Sequence, residues 1–332
     1  MGVGSFVAAA CLLQAAAKAP SRFEFEQPHM GTLFRIVLYA EDEAAARRAS
    51  DAAFQRIAEL DARLSDYRPD SELNRLSRAA GRGPVPVSAD LFEVLSAAKA
   101  FSERTDGAFD AAAGAITRLW RRARRQGELP DEVELAEAVS VSGSRFMHLD
   151  AATRTVRLDR PLRLDLGGVG KGFAADRALE RLRAEGVTRA LVAAGGDIAV
   201  GDPPPGAHGW DVAIAGRPDD PPLVLSHAAV STSGDLEQWL EVDGVRYSHI
   251  VDPRTGRALT TRRLASAIAP DATTSDMLAT AASVMSDEEA IRLADALPGA
   301  AVRIGRLDTG DAAWVASRRW PRPHARIAHR EP

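Results

Sequence analysis

A mixed α+β architecture, with helices packed on mixed sheets, is the fold class this sequence predicts. Three observations point there. Strand-like runs are joined by short hairpin turns, as at Asp243–Gly244 and at residues 254–256. Other strand-like runs are joined through amphipathic helices, so a strictly alternating parallel sheet does not fit. No internal repeat of fixed period runs through the chain, which argues against a solenoid or propeller.

In chain order, residues 1–22 begin with an apolar small-residue stretch that holds the sole cysteine, Cys11. The stretch is too short and interrupted for a membrane span, and it resembles the apolar part of an export signal with cleavage after Ala17. VAAAC is also a poor relative of the bacterial lipoprotein box. The expectation is export to the periplasmic face of the inner membrane, with lipidation of Cys11 left open. A frayed N-terminus of a cytoplasmic protein is the alternative. One folded domain over residues 23–316 and a loose, proline-interrupted tail over 317–332 complete the organisation.

TLFRIVLYA, residues 32–40, alternates and predicts a strand. Over residues 41–64, Phe54, Ile57, Leu60 and Leu64 recur at helical spacing behind an acidic first turn. Pro69 and Asp70 mark a turn, after which Ser71 with Asn74 caps or begins a short helix. Residues 89–104 form a second amphipathic helix. The arginine run after Trp120 reads as a solvated helix face. MHLD and RTVRLD make a hairpin about residues 151–153. A strand over 162–166 then enters a glycine loop and a helix over 173–185 that stops at Gly186. RALVAAGG is a buried strand, and at least four further strands follow before a helix over 274–285 and mixed elements to about Gly305.

Composition excludes several classes. Hydrophobic residues at 45% with 27% charged indicate a globular chain. A net charge of −4 carries no electrostatic footprint for nucleic acid. One cysteine supports neither a disulfide framework nor a thiolate metal site.

The stretch DLGGVGKGFAAD, residues 165–176, holds the most chemistry. It fits neither the Walker A loop, since Gly172 stands where Ser or Thr is needed, nor the G-x-G-x-x-G fingerprint. Its glycines, the positive end of the following helix and Lys171 nonetheless suit a phosphate or pyrophosphate. A solvated loop lysine is the plain alternative. Asp165 has the wrong sign for bare phosphate and suits a donor group on a ligand, or orientation by a cation. Asp276 and Thr280, four apart on one helix, are hard oxygen ligands suited to Mg²⁺. A helix-terminal acid and a core threonine are the alternative. His249 has the chemistry of a general base, or of a structural histidine bonded to the following turn. Gly195 and Gly196 allow close backbone approach, or simply a tight turn. Tyr67 suits stacking on a flat ring, or ordinary packing. Together these describe a Mg²⁺-assisted site for a phosphate-containing ligand that carries a flat ring.

Eight segments also resemble one family, in its order: HMGT (29–32), LSDYRPDSELNRL (64–76), TDGAFDAA (105–112), DLGGVGKGFAAD (165–176), AAGGDI (193–198), STSGD (231–235), YSHIVDPRTG (247–256) and SDMLAT (275–280). The family is the ApbE family of bacterial FAD:protein FMN transferases. The resemblance implies a T-fold-like bilobal single domain that transfers FMN from FAD to a Thr or Ser hydroxyl of an acceptor flavoprotein and releases AMP. It implies FAD contacts from Met30, Tyr67, Ala108, Phe109, Asp110, Asp165, Lys171 and Val251. Asp276, Thr280 and the Gly168 carbonyl would hold Mg²⁺, and His249 would take the acceptor proton, with Lys171 supplying catalytic charge. The implied partners are FMN-binding proteins such as subunits of sodium-pumping NADH:quinone reductases or Rnf-type complexes. Departures from the pattern are Ala112 for Thr or Ser, Gly170 for Ala, Ala279 where some members place an acid, and GGD for a frequent GGN. An FAD pyrophosphatase and a non-catalytic FAD-binding protein are the alternative functions.

Overall fold

The computed structural model describes residues 19–216, 220–234, 238–307 and 314–321. Residues 1–18, with the expected cleavage site and Cys11, lie outside the described residues, as do 322–332 of the expected tail and Asp235 of the STSGD segment.

The chain opens with the antiparallel hairpin β1 (Ser21–His29) and β2 (Thr32–Ala40). Helix α1 (Glu43–Leu64) follows, capped by Asp42, and then α2 (Glu72–Arg78), capped by Ser71 through its bond to the Asn74 amide. After β3 (Val85–Pro86) come α3 (Ala89–Arg104), α4 (Gly114–Gln126) and α5 (Glu132–Val141). The hairpin of β4 (Met147–Asp150) and β5 (Thr155–Leu158) leads to α6 (Gly170–Ala184). Strands β6 (Ala190–Ala194), β7 (Asp197–Val200), β8 (Trp210–Val212), β9 (Leu223–Leu225), β10 (Ala228–Gly234), β11 (Trp239–Val242), β12 (Val245–Ser248) and β13 (Arg263–Ala269) come next. The described chain closes with α7 (Ala272–Val284), α8 (Asp287–Ala296), β14 (Ala301–Arg306) and β15 (Trp314–Ala316).

Eight strands form one antiparallel sheet in the order β1-β2-β6-β7-β10-β13-β14-β15. Its side chains sort by the two-residue period of a strand. On β2, Phe34, Ile36 and Leu38 enter a core shared with α1, α6 and α7, whereas Val37 faces the other way. That other face packs Leu191, Val230 and Ile268 against Trp210 and the small β8–β9 hairpin. A third cluster joins α4 and α5 to β11 and to Val251, with Trp120 stacked on Tyr247 at 5.6 Å and bonded to the Gly256 carbonyl at 2.8 Å. Helices on an antiparallel sheet are the expected α+β class.

Four expectations are corrected. β1 was not anticipated, and it begins inside the segment read as leader, at Ser21. The stretch 162–166 is no strand. Leu162, Leu164 and Leu166 are buried alternately, but its backbone bonds run to Ala111, Gly114 and the Ser77 hydroxyl instead of to a ladder. α6 starts at Gly170, three residues early, because the Gly170 amide already bonds to the Leu166 carbonyl. Finally, residues 317–321 are no loose tail: Ser317 bonds to both polar groups of the Val302 backbone, Trp320 is buried, and Arg319 binds four carbonyls around the end of α8.

Candidate functional site

Helices α6 and α7 meet through small residues, and the glycine loop meets α7 at two points. A Cβ on Gly172 would lie 2.2 Å from the Ala272 carbonyl oxygen, so only glycine fits. The Gly172 amide donates instead to Asp276 Oδ2 at 3.1 Å. A Cβ on Gly168 would lie 2.9 Å from Thr280 Oγ1 and 3.2 Å from the Phe109 ring. The loop and the helix over 274–285 are therefore adjacent, as the metal reading requires. Asp176, on α6, holds this pairing from the other side: it accepts the Ala272 and Thr273 amides at 2.8 Å each and the Thr273 hydroxyl at 2.5 Å.

Lys171 projects from the first turn of α6 between two carboxylates. Its Nζ is 2.9 Å from Asp197 Oδ2 and 3.9 Å from Asp276 Oδ2. Asp197 sits at the start of β7, directly after the Gly195–Gly196 turn, and its side chain is buried. The two acids hold the lysine firmly protonated against the cost of its burial. Burial, then the Asp197 charge, pushes the Asp276 carboxyl up to about 7. The Thr280 hydroxyl has no hydrogen-bond partner among the described residues, and neither does the Gly168 carbonyl oxygen. Thr280 stands one turn after Asp276 on α7 and packs against Gly168, and a carboxylate, a hydroxyl and a carbonyl are a hard-oxygen donor set that fits a Mg²⁺ ion. Among the described residues no cluster of three or more His, Cys, Asp or Glu side chains forms a metal site.

The glycine loop is only in part the amide cradle its sequence suggests, with the Gly168 and Lys171 amides left open among the described residues. The Gly167 amide is taken by Asp165 Oδ1 at 2.8 Å, the Val169 and Gly170 amides by Leu166, and the Gly172 amide by Asp276. The positive charge facing a ligand here comes mainly from Lys171.

Asp165 lies at the other end of the loop and is oriented by a cation, as its wrong sign suggested. Its Oδ2 accepts from the Thr117 hydroxyl at 2.6 Å and from Arg121 at 2.8 Å. Arg121 also pairs with Asp66, and its guanidinium carbon lies 4.7 Å from the centre of the Tyr67 ring. Tyr67 itself is 74% exposed, an aromatic surface unlike the packed alternative. The arginine run on α4 is therefore not uniformly solvated, because the Arg121 side chain is only 22% exposed. Burial and the neighbouring Asp165 charge raise the Asp66 carboxyl.

The remaining predicted residues fall in three places. Met30 and Gly31 form the β1–β2 turn with φ of 50° and 74°, and the Met30 amide is anchored on Asp61 at 3.2 Å. With Asp61 they border an open recess of about 470 Å³. Thr32, beside this turn, comes within 3.1 Å of where a Gly195 Cβ would sit, so the two turns share one end of the sheet. Ala108 and Phe109 are buried, and the Asp110 carboxylate is spent on Ser102, the Ala112 amide and Ser144, which shapes the loop. Val251 is buried beside Trp120, and His249 follows β12 with Nδ1 3.3 Å from the Gln238 carbonyl. The turn after it touches the 105–110 loop, where a Gly107 Cβ would lie 3.6 Å from Arg254. A separate cavity of about 480 Å³, around Asp176 and His227 at the far end of β7, holds none of the predicted residues. Sequence reasoning missed Arg121, Asp66 and Asp197. Asp197 and Asp66 left a signal, as acids of AAGGDI and LSDYRPDSELNRL, whereas Arg121 lies in none of the eight segments.

The chain is similar to known proteins both in sequence and in overall fold. Residues 30–304 match the model of the ApbE family. A FAD:protein FMN transferase of Treponema pallidum is 37% identical over 291 residues, covering 81% of this chain and 80% of that protein. One of Vibrio cholerae is 29% identical over 321 residues, covering 94% and 96%. Among solved structures, the apo flavinyl transferase ApbE of Pseudomonas stutzeri superposes with a TM-score of 0.80 at 27% identity, covering 90% of this chain and 96% of that one. A Thermotoga maritima ApbE protein gives 0.79 at 30% identity, covering 90% and 97%.

Proposed function

The chain belongs to the ApbE family and is a flavin transferase acting on FAD, and we propose that it moves FMN from FAD onto a Thr or Ser hydroxyl of an acceptor flavoprotein, releasing AMP. In this reaction the acceptor oxygen forms a bond to the FMN phosphorus, the pyrophosphate P–O bond to AMP breaks, and the hydroxyl proton passes to a base.

The observation that carries the reading is the placement of Lys171 between Asp197 and Asp276, at the head of α6 and beside Gly168 and Thr280. Displacement at a pyrophosphate needs positioning and charge neutralisation more than a covalent nucleophile. With both carboxylates ionised, the pair around one ammonium carries a net −1, which a divalent cation would reverse for an anionic substrate. Asp276, Thr280 and the Gly168 carbonyl would hold Mg²⁺, which supplies charge for the phosphoryl oxygens and the departing AMP. Lys171 holds a fixed positive charge toward the pyrophosphate. Tyr67 offers a face for a flat ring and Asp165 an acceptor for ligand donors. His249 is the base by resemblance; an Nδ1–H donated to the Gln238 carbonyl puts its basic lone pair on Nε2.

The acceptor is taken to be an FMN-binding protein such as a subunit of a sodium-pumping NADH:quinone reductase or an Rnf-type complex, met outside the cytoplasm after export of this chain. Incubation with FAD, Mg²⁺ and a candidate acceptor domain tests the reading. Covalent flavin on the acceptor in step with AMP release is expected. FMN and AMP without an adduct would make the protein a pyrophosphatase instead.

A further inference from the structure

We propose that Arg121 is a positioning residue for the flavin end of the site: its guanidinium ties Asp66 to Asp165 and backs the Tyr67 ring, so that ring and carboxylate meet FAD as one unit. The inference rests on the transferase reading, which makes FAD the ligand of this face.

Three segments far apart in sequence converge on this side chain. Asp66 and Tyr67 follow α1, Arg121 lies on α4, and Asp165 precedes the glycine loop. One guanidinium nitrogen pairs with Asp66 and another with Asp165 at 2.8 Å, while the planar group lies 4.7 Å from the Tyr67 ring centre. Among its neighbours on α4, Arg122 pairs with Glu134, Arg118 and Arg125 are exposed, and Arg124 lies near Tyr67 without bridging the two carboxylates. An exposed tyrosine on a turn would otherwise lose rotamer freedom when a ligand stacks on it, which weakens binding. A guanidinium held on both sides by carboxylates removes that loss in advance, through a fork that lysine cannot reproduce.

The backbone does not depend on Arg121. Asn74 Nδ2 donates to the carbonyls of Asp66 and Arg68 at 2.9 Å each, and Asp165 keeps its bonds to Thr117 and to the Gly167 amide. Removing the arginine should therefore free the side chains without dismantling the loops.

The test uses the whole protein, with FAD binding followed by quenching of flavin fluorescence and turnover followed by flavin transfer. Arg121→Met is expected to raise the Kd and KM for FAD about tenfold, the worth of one good charge-assisted contact, with kcat at saturating FAD and the KM for acceptor little changed. Arg121→Lys, which keeps the charge and serves if the methionine variant does not fold, is expected to fall between the two. In a Tyr67→Leu background the Arg121→Met effect should shrink, because part of it acts through the ring. Unchanged FAD affinity in Arg121→Met, a loss confined to kcat, or an equal effect in both backgrounds would overturn the inference alone. A wild-type protein that binds no FAD would overturn the transferase reading and this inference with it.

Discussion

Replacing Gly172 by alanine isolates the contact on which the site depends. A Cβ there would lie 2.2 Å from the Ala272 carbonyl oxygen, 2.7 Å from its carbon and 2.9 Å from Asp276 Cβ. Real Cβ contacts essentially never fall under 3.0 Å, so α6 and α7 must separate by at least 0.8 Å. The backbone at this point cannot rotate away as a side-chain tip would. Overpacking of this kind costs about 1–3 kcal/mol, and alanine's better helix propensity returns about 1 kcal/mol. The net fall in stability is thus modest, roughly 0–2 kcal/mol. The effect on function is larger, because the same movement stretches the 3.1 Å bond from the Gly172 amide to Asp276 and displaces Thr280 from Gly168. A shift near 1 Å in a positioning contact costs on the order of 100-fold in rate. Gly170 is the control: the nearest atom to its added Cβ is 3.6 Å away, in ordinary contact. Gly170→Ala should be as stable as wild type or slightly more, and fully active. Urea unfolding and FMN transfer rates on both variants decide the matter. A Gly172→Ala protein with wild-type transfer would refute the close-packed account of the loop.

Three further expectations concern the charges. Lys171→Met leaves the buried Asp197 carboxylate without its cation and should cost about 3–5 kcal/mol in urea unfolding, with Asp197→Asn in the same chain restoring stability but not transfer. The Asp276 carboxyl, raised to about 7, keeps its proton in the fold at pH values where the unfolded chain has lost it. Metal-free stability from this group therefore falls as pH climbs from about 4 to about 7, and Asp276→Asn should flatten that slope in urea midpoints taken across the range. An identical slope in the variant would refute the assignment. Asp176→Ala strips three donors' partner from the start of α7, and should lower both the thermal midpoint and the affinity for Mg²⁺ measured by calorimetry. A lower midpoint with unaltered Mg²⁺ affinity would mean that the cap stabilises the helix without placing Asp276.

Periodicity carried most of the fold. β2 and α3 appear where their alternation and their i, i+3, i+4 spacing put them, because local pattern and burial agree there. The stretch 162–166 shows the limit: it alternates as a strand does, but its backbone partners are a loop, and a sequence does not name partners. Phe23 and Phe25 alternate in β1 as well, yet the apolar leader before them hid the strand. In the site, Lys171, Asp276 and Thr280 were legible as residue types, and their meeting depended on the packing of α6 on α7. That Asp276 takes the Gly172 amide, a bond across 104 positions, is invisible until the helices pack. Arg121 was masked by company, since its neighbours on α4 include four more arginines with different fates.

Small residues stand at the seam where α6 meets α7: Gly172 packs against Ala272 and Asp276, and Gly168, just before α6, against Thr280. Such smooth surfaces have no large knobs to stop one helix from sliding along the other. The stops are polar and lie at one end, where Asp176 grips the first amides of α7 and Asp276 grips the amide of Gly172. The two helices thus behave as a rule and slider with a single detent. Apolar substitutions along the seam that keep its volume should leave the setting alone, whereas a change at the detent moves every oxygen of the site by the same step.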